Sequence, residues 1–259
     1  MKLKTVNFEE KKETPFFSDN MLKSIDPKKI PRHIAIIMDG NRRWARSNKI
    51  SAIMGHSKGA DNLSFIIQAA AEIGIKFITV FAFSTENWQR SKSEIYHLFN
   101  LFEKYLIEKR GFLKKNNVKV EIIGDISAFP DSLQKAFADT KKETLNGNNI
   151  TLVLAFNYGA KDEMSRAVKK IIEDYDKKKI NKNEINEKMI NSYLDTANLP
   201  DPDLIIRTSG EKRLSNFLLW QSSYSEIYFV DVLWPDFSVN DLFFAVRDFQ
   251  KRKRRRGGA

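Results

Sequence analysis

Short apolar runs recur along the chain, separated by longer stretches in which apolar residues return every third or fourth position. The runs at Ile34–Ile37, Phe77–Phe83, Val118–Ile123, Ile150–Phe156, Leu204–Ile206 and Ile227–Val230 predict strands. The stretches near 58–73, 92–114, 130–145, 161–177, 184–193 and 239–251 carry helical periodicity. Apolar strands alternating with amphipathic helices predict an α/β fold with a mainly parallel central sheet flanked by helices. No linker interrupts the alternation, so a single domain is expected over residues 30–259, with a basic C-terminal tail. Residues 1–29 are polar and read as a poorly ordered arm.

Polar clusters follow these strands, where open α/β sheets bind ligands. The first strand runs into Met38-Asp39-Gly40-Asn41-Arg42-Arg43-Trp44. A turn at Gly40 that opens a helix presents backbone N–H groups to an anion, and Arg43 adds a guanidinium suited to phosphate. Asp39 would repel phosphate directly, so its role there is to hold Mg²⁺, which takes one or two carboxylates plus substrate oxygens. The second strand is followed by Ser84-Thr85-Glu86-Asn87-Trp88-Gln89-Arg90 and then Glu94, and the fourth by Asn157-Tyr158-Gly159. After Leu204–Ile206 come Arg207-Thr208-Ser209-Gly210-Glu211-Lys212-Arg213-Leu214-Ser215-Asn216, whose arginines and hydroxyls suit a second phosphate group. Glu226, before the last strand, is a further carboxylate for metal or arginine.

Composition narrows the function. The 259 residues include no cysteine, which excludes disulfides and thiolate metal sites and fits a reducing, cytoplasmic setting. No apolar run is long enough to cross a bilayer, and Met1–Thr5 lack the apolar core of a signal peptide. The net charge of +11 favours polyanions, anionic membrane surfaces or phosphorylated substrates. A nucleic-acid partner is not expected: the charge and the basic tail fit one, but no nucleic-acid motif is present and the carboxylates at strand ends stay unexplained.

The runs H-I-A-I-I-M-D-G-N-R-R-W-A, G-H-S-K-G-A, F-A-F-S-T-E-N-W-Q-R, N-Y-G, I-I-R-T-S-G-E-K-R-L-S-N-F-L-L-W-Q and E-I-Y-F-V-D-V-L-W-P-D-F resemble the conserved regions of cis-prenyltransferases. Within that family the chain is most similar to the bacterial undecaprenyl diphosphate synthases. The resemblance runs in order from about Pro31 to Gly258. It implies a homodimer with the family's own parallel-sheet fold. It also implies Mg²⁺-dependent condensation of farnesyl diphosphate with isopentenyl diphosphate, each new double bond being cis. Its product would be a long-chain polyprenyl diphosphate of about eleven isoprene units, a cell-wall lipid-carrier precursor delivered to the membrane surface.

By position, Asp39 resembles the family's metal-binding aspartate and Glu226 its second carboxylate. Gly40, Asn41, Arg43 and His56 resemble residues that hold or activate the allylic diphosphate, with Arg42 and Trp44 in the same segment. Ser84, Thr85, Glu86, Asn87 and Trp88 resemble the loop that orders the two substrates, with Arg90 and Glu94 adjoining it. Arg207, Arg213 and Ser215 resemble the isopentenyl diphosphate site. Arg255-Arg256-Gly257 resembles a C-terminal R-x-G that reaches an active site across the dimer. Released diphosphate or a group in the Asn87/Ser84/His56 cluster would take up the final proton. The family's paired-aspartate counterpart among trans-prenyltransferases, D-D-x-x-D, is absent. A noncatalytic prenyltransferase subunit is disfavoured because Asp39, Asn87, Trp88, Arg90 and Glu94 are all present.

One position departs from the pattern. Ala52 stands where the family usually has an arginine toward the allylic diphosphate, and Arg42 or Lys49 is expected to compensate. Leu98, Phe99, Leu101, Phe102, Leu106 and Ile107, with Ala82 and Leu152 on strands, are expected to line an apolar product tunnel, Leu152 at its floor.

Overall fold

A computed structural model describes residues 15–254. Asp19–Lys23 forms α1, His33–Ile37 β1, Asn41–Ser47 α2, Ala52–Ile73 α3 and Phe77–Ser84 β2. Lys92–Lys115 follows as α4, Val118–Ile123 as β3, Asp131–Glu143 as α5, Ile150–Tyr158 as β4 and Ala160–Asp176 as α6. Glu187–Tyr193 is α7, Leu204–Arg207 β5, Glu226–Phe229 β6 and Val239–Lys251 α8. The strands form one sheet in the order β3-β4-β2-β1-β5-β6, parallel at every pairing.

Strand burial explains the near-continuous apolar runs. Ile34 and Ile36 enter one core, with Leu152, Leu154, Leu204 and Ile206, while Ala35 and Ile37 enter the other, with Val153, Ala155 and Ile205. Successive residues point to opposite faces, so a strand covered on both sides needs apolar residues at every position. The larger core takes the inner faces of α3, α4, α5 and α8, and the smaller is closed by Phe217 and Leu218.

Two expectations need amending. Residues 15–29 are not a loose arm: Phe17 is buried against Phe243, and the Phe16 and Phe17 N–H groups donate to the two carboxylate oxygens of Glu72 at 2.9 and 3.0 Å. A polar composition hid one buried aromatic ring and its backbone anchor. The N-Y-G cluster also sits earlier than expected, because β4 continues through Asn157 and Tyr158 instead of ending at Phe156. Residues 1–14 and the Arg255–Gly257 segment lie outside the described residues.

The chain leaves β1 toward β2 on one side and returns later as β5 on the other. This makes the carboxyl ends of β1 and β5 the topological switch point of the sheet, where such folds bind ligands.

Candidate active site

The end of β1 is held rigidly. Thr208 Oγ1 and the Trp234 N–H both donate to the Asp39 carbonyl, at 2.6 and 3.0 Å. Gly40 then turns the chain at φ +111°, and a Cβ there would stand 2.9 Å from a Leu233 methyl, so only glycine fits. Helix α2 starts at once, placing Asn41, Arg42, Arg43 and Arg46 around one cleft. The same cleft is lined by Met38, Asp39, Gly40, His56 and Arg90.

Helix α2 lies close on α3 because α3 carries glycines one turn apart. A Cβ at Gly55 would meet the Asn41 carbonyl at 2.2 Å, and one at Gly59 would meet Asn41 Oδ1 at 2.3 Å. These two glycines belong to the G-H-S-K-G run, whose helical spacing is the signal for that contact. The packing buries the His56 Nε2 atom without a partner, and Asn41 Oδ1 is likewise buried and unpartnered. Burial, with the charges of Arg90 and Arg42, pushes the His56 imidazole down to about 4, so it is neutral near pH 7.

Asp39 sits between guanidinium groups. Its Oδ2 accepts from Arg207 at 2.9 Å and its Oδ1 lies 3.3 Å from Arg43. Burial alone would raise its carboxyl, but Arg207 and then Arg43 outweigh that and hold it below the ordinary range. Arg207, at the end of β5, is nearly fully buried and also donates to the Arg213 carbonyl and to Ser215 Oγ. Arg43 donates to the Ser209 carbonyl and hydroxyl, so α2 and the loop after β5 form one cationic wall. The Arg213 side chain is mostly exposed and pairs with Glu211.

Behind the cleft lies a mostly apolar cavity of about 130 Å³ that opens to solvent. Leu98, Leu101, Phe102, Leu106 and Ala82 line it as expected, together with Tyr105. Leu152, Phe99 and Ile107 do not: Leu152 is locked in the core, Phe99 packs against Phe129, and Ile107 faces solvent. The helical stripe of α4 is wider than the tunnel, so some of its apolar residues go elsewhere. Met38, Asn41, His56 and Arg90 border both the cleft and the cavity, which makes the two one continuous space.

The turn at 85–89 closes one side. Asn87 lines the cavity and its Oδ1 accepts from the Ser84 N–H at 3.2 Å. Trp88 Nε1 donates to Asn157 Oδ1 at 2.7 Å, and Glu86 Oε1 accepts from Asn216 at 3.0 Å. Arg90 and Arg42 both reach Glu94 Oε1, at 3.2 and 3.9 Å.

Three expected site residues are placed differently. Glu226 opens β6 at the register of Ile34 and Leu204, three residues back from the Ile37–Arg207 level, and it accepts from Arg252 at 2.9 Å. At about 3.3 Å per residue it lies roughly 10 Å back from the end of the sheet, beyond which Asp39 stands, so one chain does not bring the two carboxylates together. Trp44 turns outward to donate to Asp236 at 2.8 Å. Lys49 does not line the cleft, whereas Arg46, which the motifs did not single out, does. Among the described residues no group of three or more His, Asp or Glu side chains converges as a metal site. Asp39, ionised and partly exposed, suits a cation such as Mg²⁺ that completes its shell with water and substrate oxygens.

Among the described residues no helix is long and apolar enough to cross a membrane. The family described as "Putative undecaprenyl diphosphate synthase" matches residues 37–257. An isoprenyl transferase of Chlamydia trachomatis is 50% identical over 232 residues, covering 88% of this chain and 92% of that protein. A ditrans,polycis-undecaprenyl-diphosphate synthase of Micrococcus luteus, specific for (2E,6E)-farnesyl diphosphate, is 47% identical and covers 91% and 94%. The crystal structure of lavandulyl diphosphate synthase from Lavandula x intermedia, in complex with dimethylallyl diphosphate, superposes with a TM-score of 0.87 at 34% identity, covering 89% of this chain and 100% of that one. With this parallel sheet, a cationic cleft at its switch point and an apolar cavity behind, the chain belongs to the undecaprenyl diphosphate synthase family and is a cis-prenyltransferase.

Proposed function

We propose that the protein elongates farnesyl diphosphate with isopentenyl diphosphate to a polyprenyl diphosphate of about eleven units. The observation that carries this reading is the continuity of the Arg42/Arg43/Arg46/Arg90 cleft with the Leu98–Leu106 cavity. A substrate with a multiply charged diphosphate head and a long apolar tail matches both halves, and neither half alone requires it.

In this reading the allylic diphosphate lies in the cleft, and isopentenyl diphosphate lies against Arg207, Arg213 and Ser215. The new bond joins C4 of the isopentenyl unit to C1 of the allylic one. The allylic C–O bond breaks, diphosphate leaves with its electron pair, and a proton departs from C2 of the isopentenyl unit. Negative charge grows on the leaving oxygen, and fixed guanidinium groups in a partly desolvated site stabilise that charge. Mg²⁺, held by Asp39, would neutralise diphosphate charge there.

Ser84 and Asn87 are not bases, so the proton goes to the leaving diphosphate or to the free Nε2 of His56. A neutral imidazole held near 4 is a weak base until the diphosphate arrives beside it, and the incoming negative charge raises it. The protein would act as a homodimer, with Arg255 and Gly257 completing the partner's site, and release product toward the membrane surface.

Incubation with farnesyl diphosphate, labelled isopentenyl diphosphate and Mg²⁺, followed by sizing of the dephosphorylated products, tests the reading. A ladder ending near eleven units is expected. Absence of any product beyond farnesyl would overturn it.

A further inference from the structure

We propose that Asn216 is a positioning residue that ties the loop of the isopentenyl diphosphate site to the turn carrying Asn87 and Trp88. The inference rests on the substrate placement proposed above. Asn216 sits at φ +64°, in a run where Ser215 and Leu218 are also left-handed, a conformation asparagine tolerates better than most residues. Its carbonyl accepts from the Ala160 N–H at 2.8 Å and its Oδ1 accepts from the Lys161 N–H at 3.0 Å. Helix α6 follows Gly159, which has no capping side chain, so Asn216 caps it from another element.

The cap uses only the two oxygens of Asn216. The amide nitrogen does something else: Nδ2 donates to Glu86 Oε1 at 3.0 Å. Glu86 precedes Asn87, which lines the cavity, and Asn216 follows Ser215, whose hydroxyl accepts from Arg207. The junction is built tightly. A Cβ at Gly159 would stand 2.6 Å from Thr85 Oγ1 and 2.7 Å from Asn216 Nδ2, so the absent side chain is what lets the two loops meet over β4. A shift of the Arg207–Ser215 loop on binding diphosphate would therefore be transmitted to the turn that carries Asn87.

Asn216→Asp separates the tie from the cap. The carboxylate still accepts from Lys161, since aspartate caps as well as asparagine, but it loses the donor and repels Glu86. We expect its melting temperature to stay near wild type. Its kcat/KM should fall about ten-fold, with a higher KM for isopentenyl diphosphate, as lost loop–loop coupling of this size is common for contacting residues. Adding Glu86→Gln restores the bond with reversed polarity, the glutamine amide donating to the introduced carboxylate, and should raise kcat/KM about three-fold or more above that of N216D.

The proposal is overturned if N216D matches wild type, or if the double variant is no better than N216D. Should N216D also melt lower, the double variant still decides, because it restores the tie without altering the cap. A separate readout titrates inorganic diphosphate and follows Trp88 fluorescence against a Trp88→Phe background. The signal change should be lost in N216D and recovered in the double variant. If wild type makes no polyprenyl product yet this signal behaves as described, the substrate reading fails and the tie stands.

Discussion

Arg42→Ala is the sharpest test of how this chain holds its allylic diphosphate without an arginine at position 52. Arg42 stands on the exposed side of α2, borders the cleft and lies 3.9 Å from Glu94. Its side chain is 57% exposed, so truncation leaves no cavity and should shift the melting temperature little. Glu94 keeps its 3.2 Å contact with Arg90, so no carboxylate is orphaned. A charged hydrogen bond to phosphate is worth about 1.5–3 kcal/mol, and solvent screening at this exposed position favours the lower end. That corresponds to a rise of roughly ten-fold in the KM for farnesyl diphosphate. The KM for isopentenyl diphosphate should stay unchanged, because Arg42 pairs with Glu94 whereas Arg213 pairs with Glu211 on the loop after β5. Lys49→Ala, outside the cleft, should have no effect, and Ala52→Arg should change the farnesyl diphosphate KM less than about two-fold, the added charge being redundant. Steady-state kinetics with each substrate varied in turn distinguishes these cases. A farnesyl diphosphate KM that moves less than about two-fold in Arg42→Ala, with a large improvement in Ala52→Arg, would refute the compensation.

Asp39 is both the expected metal anchor and the counter-ion of buried Arg207, so Asp39→Ala should lose stability as well as turnover. Asp39→Asn keeps an acceptor for Arg207 but not its counter-charge, so it should melt between Asp39→Ala and wild type, while activity falls more than about ten-fold, about 1.4 kcal/mol or more in barrier; retention of activity would refute the metal role. Arg213→Ala should raise chiefly the KM for isopentenyl diphosphate, since a lost ground-state phosphate contact appears there, and a rise confined to farnesyl diphosphate would mean that the two subsites are exchanged. The buried His33 ring and the partly buried His56 ring are both pushed from 6.5 down to about 4, chiefly by desolvation. The unfolded chain binds these protons first, so stability should be flat above about pH 6.5 and fall as pH drops toward 4, by at most on the order of 3 kcal/mol for each ring. Urea midpoints at about pH 7.5 and 5.0 check this; His56→Asn should remove part of the slope, and an unchanged slope would show that His56 contributes none of it.

Much of the fold was legible in the amino-acid order because both faces of the sheet are buried. A strand covered on two sides must be apolar at nearly every position, and the helices between must be amphipathic, so β1 to β6 and α3 to α8 announce themselves. The placement of Asp39, Asn87 and Arg207 at strand ends follows from the same rule, since the carboxyl edge of a parallel sheet is where ligands go. Local chemistry also marked Gly40, whose conformation no other residue would suit.

Tertiary structure alone decided the rest, because it depends on contacts between residues far apart in the chain. Phe17 looked like part of a polar arm until its ring met Phe243. Glu226 and Asp39 are both carboxylates beside strands, yet the parallel register sets them at different levels of the sheet. Trp44 and Arg46 occupy the same short helix, and only the helix's contact with α3 and with Asp236 turns the tryptophan away and the arginine inward. The apolar stripe of α4 was plain in sequence, but a stripe serves a core and a tunnel alike; only the space left around it separates Leu98 and Phe102 from Phe99. The role of Asn216 was invisible for the same reason, since its partners, Glu86 and Lys161, are 130 and 55 residues away and meet it only where the ends of β2, β4 and β5 converge.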